Sequence, residues 1–181
     1  DEPGDPLSTE HEAVVRRLVA ESYQRPVVWV HGNHDESVTL DDPGRIQFVR
    51  RWTVDDTLLV LHGDQLDGIM PKHGLFKSVF KKLHRLRIRL GFPDVHVAHY
   101  AKRWSLLYRV LNEHVARRAI DAARWEGFCA VTCGHTHAPM ELDREGHRYL
   151  NTGAWTEEPN HYVSVTEGGQ VKLQVFPNGK V

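Results

Sequence analysis

The stretch Phe128-Cys129-Ala130-Val131-Thr132-Cys133-Gly134-His135-Thr136-His137 carries the clearest signal in this chain. Six small, aromatic or β-branched residues make an apolar run of strand length. The run stops on a glycine, and two histidines two residues apart follow. The same punctuation occurs twice upstream. Val27-Val28-Trp29-Val30 stops at His31-Gly32-Asn33-His34-Asp35, and Thr57-Leu58-Leu59-Val60-Leu61 stops at His62-Gly63-Asp64. In α/β folds the loops at the carboxyl ends of strands gather in one place and build the site. Three buried strands, each closing on glycine and histidine, predict an α/β protein with one histidine-rich end.

The rest of the chain fits that class. It has 181 residues, 40% of them hydrophobic and 26% charged, which suits one globular domain. Lys and Arg total 23 against 24 Asp and Glu, so net charge selects no partner. Histidine is over-represented at thirteen, and imidazole is the commonest protein metal ligand near neutral pH. Two cysteines, Cys129 and Cys133, make no disulfide framework and fit a reduced, cytoplasmic setting. No apolar run long enough to span a membrane is present, and no signal peptide is recognised.

Ser8 or Thr9 can cap a helix in which Val14, Val15, Leu18 and Val19 recur at helical spacing, and Pro26 ends it. Gln65 to Glu126 reads as mostly helical, with one helix over Leu75 to Leu90 and one or two over Ala98 to Trp125. Strands are expected at Arg148-Tyr149-Leu150, His161 to Val165 and Val171 to Phe176, the last two joined by a hairpin turn at Gly168-Gly169.

A single imidazole on a core face is usually structural. Two, two residues apart after a buried strand and a turn-permitting Gly134, are better read as metal ligands: His135 and His137. A metallo-β-lactamase-type pair would continue with Asp-His, whereas Ala138-Pro139 follows here. The amide oxygen of Asn33 is a hard donor suited to Mn²⁺, Mg²⁺ or Fe²⁺. His34 beside it could serve a reacting phosphate as proton donor, and Asp35 could orient an imidazole. The bland alternative for this tetrapeptide is an Asn-containing turn. His62, before Gly63-Asp64, could by itself simply close a strand.

Taken in order, Gly-Asn-His-Asp, His-Gly-Asp and Gly-His-Thr-His resemble the signature of calcineurin-like metallophosphoesterases. Asn151-Thr152-Gly153-Ala154-Trp155 is similar to the segment after Gly-His-Thr-His in bacterial members related to UDP-2,3-diacylglucosamine pyrophosphatase. The resemblance implies an α/β sandwich of two mixed sheets flanked by helices, with a helical cap insert at about 65–126. It implies two divalent metals, Mn²⁺ foremost, with Fe²⁺, Zn²⁺ and Mg²⁺ as alternatives. Asn33, His62 and His135 would hold one metal and His137 the other, His34 would be the catalytic histidine, and Asp35 and Asp64 would orient ligands. A water between the metals would attack phosphorus in line, without a covalent enzyme intermediate.

Two departures qualify the resemblance. The family's opening Asp-x-His and Gly-Asp-x-x-Asp strand ends, which by the resemblance supply two ligands of one metal and the carboxylate bridging both, are not found ahead of Val27. Asp1 is therefore expected to lie just after the second of them in a longer polypeptide, the alternative being that this piece is inactive. The best-known diacylglucosamine enzymes also carry Arg where His34 stands, which bears on the substrate rather than on the family.

Gly68 to Pro93 contains no acidic residue. Lys72, Lys77, Lys81, Lys82, Arg85, Arg87 and Arg89 interleave with Leu75, Phe76, Val79, Phe80, Leu83, Leu86 and Leu90. Such a pattern gives a greasy face and a cationic face. It is either a solvated face over a core stripe or a contact, through Lys77, Lys81, Lys82 and Arg85, for an anionic lipidic substrate or membrane. Nucleic acid is not expected, because no aromatic stacking pattern accompanies the charge.

The expected activity is therefore hydrolysis of a phosphodiester or pyrophosphate bond. The substrate would be a phosphate-ester small molecule or a UDP-2,3-diacylglucosamine-like nucleotide glycolipid, met in the cytoplasm or at the inner face of the membrane. The alternatives are a non-catalytic binding module of the same fold and a nuclease of the same superfamily.

Overall fold

The computed structural model describes residues 9–33, 39–68, 105–156 and 158–177. The chain opens with helix α1 (Thr9–Ser22) and continues through strands β1 (Val28–Val30), β2 (Gln47–Val49), β3 (Arg51–Val54) and β4 (Leu58–Leu61). A single 3-10 turn covers Asp64–Leu66. Helix α2 (Ser105–Glu126) leads into β5 (Ala130–Cys133), β6 (Met140–Arg144), β7 (His147–Asn151), β8 (His161–Val165) and β9 (Val171–Val175).

A mixed five-stranded sheet forms the centre, in the order β3-β4-β5-β7-β6. Its inner strands β4, β5 and β7 run parallel, and the edge strands β3 and β6 run antiparallel to their neighbours. The inner strands are the apolar runs of the sequence, since a strand covered on both faces has no solvent side on which to place polar residues. All four residues of β5 are buried accordingly. Beside this sheet lie a parallel ribbon, β1 with β2, and an antiparallel hairpin, β8 with β9.

The two faces of the central sheet are filled differently. On one face α2 lays down Ala116, Ala119, Ile120 and Ala123 against Leu59, Val131 and Tyr149. The three alanines are fully buried, so the helix backbone sits close to the sheet. On the other face Leu58, Ala130 and Leu150 meet Val171 of the hairpin, with Val163, Val165 and Leu173 packed around them. The molecule is thus layered as helix, sheet and hairpin. The helix α2 ends in a pair of capping bonds, Phe128 N–H to the Ala123 carbonyl (2.8 Å) and Gly127 N–H to the Arg124 carbonyl (3.3 Å), which turn the chain directly into β5.

Several sequence expectations meet the structure here. The helix begins at Thr9 and stops before Pro26 as expected. Val14 is nevertheless exposed, and only Val15, Leu18 and Val19 are part-buried. The run Val27 to Val30 was expected to be buried, yet β1 is only half-buried, because it belongs to the side ribbon and not to the central sheet. The expected cap insert is described at its two ends only, where α2 packs on the core. The basic stretch, with Lys77, Lys81, Lys82 and Arg85, lies outside the described residues. Among the described residues no helix is long and apolar enough to cross a membrane.

Candidate functional site

Strand register sets the site. β4 and β5 are parallel neighbours with Val60 opposite Thr132, so their carboxyl ends stop side by side. Two residues further on, the His62 carbonyl accepts hydrogen bonds from both Gly134 N–H (3.1 Å) and His135 N–H (3.0 Å). The imidazoles of His62 and His135 meet edge to face with centroids 5.3 Å apart. Two histidines far apart in sequence are thereby brought together by the sheet alone.

Each ring is held by a carboxylate. Asp64 Oδ1 lies 3.0 Å from His62 Nδ1, and Asp67 Oδ2 lies 3.0 Å from His135 Nε2. Both carboxylates come from one short segment. Gly63 has φ 111°, a left-handed conformation that glycine takes without strain, and it turns the chain out of β4 into the 3-10 turn. A β-carbon at Gly63 would stand 3.1 Å from His135 Cβ and 3.2 Å from Cys133 Cβ, so the loop lies directly on the end of β5. The Arg50 guanidinium stands 3.7 Å from the other oxygen of Asp64.

Gly32 packs against the His62 ring. A β-carbon there would lie 2.4 Å from His62 Nε2. This contact puts the loop after β1 against His62, with Asn33 the next residue along it. Asn33 itself is exposed in a turn. His34 and Asp35 lie outside the described residues.

The loop after β5 turns back sharply. His137 N–H bonds to the Gly134 carbonyl (3.0 Å), and His137 has φ 55°, a left-handed conformation costly for a residue with a β-carbon. The side chain of His137 is on the exposed side of that turn. Thr136 between the two histidines is buried and tied down. Asn151, fully buried at the end of β7, donates from Nδ2 to Thr136 Oγ1 (3.0 Å) and Tyr149 Oη (2.9 Å), while its Oδ1 accepts from Gly153 N–H (2.8 Å). The Tyr108 hydroxyl adds a bond to the Thr136 carbonyl. Burial pushes the Cys133 thiol up to about 12, with the Asp64 charge adding to the effect, and it likewise raises the Tyr149 phenol. Cys133 is therefore a core thiol and not a thiolate ligand.

Of the residues singled out in the sequence, the structure brings His62, Asp64 and His135 into one cluster, with Asn33 and His137 on the adjoining loops. Among the described residues no group of three His, Cys, Asp or Glu side chains is arranged to hold a metal ion. Asp67 is the participant that the motif reading passed over. Its signal was present: Gly63-Asp64-Gln65-Leu66-Asp67 has the Gly-Asp-x-x-Asp spacing, but it overlaps the His-Gly-Asp motif and so stands out of the family's order.

The family model described as calcineurin-like phosphoesterase (Metallophos) matches residues 2–139, more than half of the chain. No curated protein matches the sequence.

Proposed function

Because this chain belongs to the calcineurin-like phosphoesterase family, whose members generally bind two divalent metals and hydrolyse phosphoesters, we propose that it is a dinuclear-metal phosphodiesterase or pyrophosphatase. The observation that carries this reading is the His62–His135 pair at adjacent strand ends, each ring fixed by its own carboxylate. Imidazole donors of this kind suit a divalent metal, the further ligands being proposed on the adjoining loops. A histidine ligand commonly gives its other ring nitrogen to a carboxylate, which orients the imidazole and raises its basicity. Asp64 and Asp67 each engage one nitrogen of a ring, and the proposal places the metal at the other.

In this proposal Asn33, His62 and His135 hold one metal and His137 contributes to the other, with Mn²⁺ the favoured ion. The bound metals would supply Lewis-acid neutralisation of phosphate charge and a lowered water pKa. The chain's own residues do the positioning. Gly32 presses the His62 ring into place, Asp64 sets its tautomer, and the Asn151–Thr136 bond fixes the loop that carries His135 and His137. His34 is proposed as proton donor to the leaving oxygen, and Asp35 as the carboxylate that orients it.

The proposed substrate class is a nucleotide-linked glycolipid, met by Lys77, Lys81, Lys82 and Arg85 on the basic stretch at the cytoplasmic face of a membrane. Its supports are the Asn151 to Trp155 segment and the acid-free run from Gly68 to Pro93. The test is release of nitrophenol from an aryl phosphodiester with added Mn²⁺, followed by a panel of UDP-linked lipid, UDP-sugar and oligonucleotide. Metal-dependent turnover abolished by His135→Ala is expected. Absence of turnover by the complete gene product with every divalent ion sinks the hydrolase reading, and cleavage of the oligonucleotide alone sinks the glycolipid assignment.

A further inference from the structure

Asp64 opens the 3-10 turn Asp64–Leu66, and Asp67 follows it as the C-cap in extended backbone, its N–H bonded to the Asp64 carbonyl. They serve different strands. Asp64 turns back to His62 on its own loop, and Asp67 reaches His135, 68 residues away in sequence. The Asp67 side chain is only 3% exposed and His135 only 10%, so neither group is screened by bulk water. A dehydrated carboxylate is retained only where donors satisfy it.

An ionised carboxylate accepts and never donates, so with Asp67 ionised the hydrogen in the Asp67–His135 contact belongs to Nε2. A neutral His135 then carries its lone pair on Nδ1. We infer that Asp67 is a positioning residue that sets the tautomer and rotation of His135, so that His135 meets a divalent metal through Nδ1. This rests on the metal-binding reading of the site, and it assigns to Asp67 a role that the sequence motifs do not.

The test has two readouts, neither of which needs turnover. Long-range ¹H–¹⁵N NMR of the metal-free, ¹⁵N-labelled chain at alkaline pH reports which nitrogen of His135 carries the hydrogen. The expected result is the Nε2–H tautomer in the parent, a mixture in Asp67→Ala, and partial restoration in Asp67→Glu. Zn²⁺ titration is the second readout, with Asp67→Asn expected to weaken affinity about 10- to 100-fold. The asparagine keeps the shape of the buried side chain, so this arm stands even if the alanine variant does not fold. An Nδ1–H tautomer in the parent, an unchanged tautomer in Asp67→Ala, or undiminished Zn²⁺ affinity in Asp67→Asn overturns the inference. A chain that passes both tests yet hydrolyses no phosphoester keeps Asp67 in this role and removes only the enzymatic reading.

Discussion

Gly32 lies so close to the imidazole of His62 that a β-carbon on it would stand 2.4 Å from both Nε2 and Cδ2. The glycine is thus the surface against which this ring rests. Gly32→Ala is expected to push the ring off its Asp64 partner, destabilising the fold by about 1–3 kcal/mol through overpacking. Divalent-metal affinity should fall more steeply than stability, because the displaced atom is the proposed donor. Parallel calorimetric and denaturant titrations of the variant check both. Unchanged metal binding would remove Gly32 from the site.

Asn151 is a fully buried amide with partners on both its nitrogen and its oxygen. Removing it takes a donor from the buried Thr136 Oγ1 and the acceptor from the part-buried Gly153 N–H. Asn151→Ala should cost about 1–3 kcal/mol from that loss alone. Asn151→Asp should cost more, because it adds a charge where no water reaches. Urea denaturation gives the first number, and an aspartate variant as stable as the parent would contradict the account.

The face of α2 on the sheet is built of alanines, and Ala119 touches the core with no exposed area. Ala119→Leu is therefore expected to destabilise by about 1–3 kcal/mol even though leucine is the more hydrophobic residue. A Tm equal to or above that of the parent would mean that the helix can back away from the sheet at no cost.

The two thiols should behave oppositely. Cys129 is exposed and Cys133 buried, so a thiol reagent is expected to label one cysteine in the native protein and two after denaturation. Burial raises Cys133 from 9.0 to about 12. Between those values the unfolded chain loses its proton while the folded chain keeps it, so the folded state binds more protons. That contribution is fully present below pH 9.0 and is lost as pH rises towards about 12. Cys133→Ala should consequently flatten the decline of stability above pH 9.0, as measured by denaturant titration at a series of pH values. An unaltered slope would refute it.

The inner strands were legible because burial on both faces leaves a continuous apolar run, as in Leu58-Leu59-Val60-Leu61 and Ala130-Val131-Thr132-Cys133. The edge strands were not. Arg51-Trp52-Thr53-Val54 has its first two residues exposed, and Met140-Glu141-Leu142-Asp143-Arg144 carries three charges. Such segments become strands through the hydrogen bonds their neighbours offer, which no local pattern records. The ribbon strand Gln47–Val49 is too short to show any period. At the site, glycine and histidine marked the strand ends plainly. Asp67 stayed hidden because its meaning depends on which ring it meets, and that ring arrives from a different strand.

The parallel pairing of β4 with β5 also fixes when the site can exist. Parallel neighbours cannot be joined by a tight turn, so a long intervening chain must be closed before Val60 finds Thr132. Asp67 and His135 are separated by 68 residues and meet only after that closure. Contacts of this sequence separation form slowly in folding. A collapsed chain that has made its helices and its β8–β9 hairpin still has no place for an ion, and metal capture would mark the moment at which the central sheet has found its register.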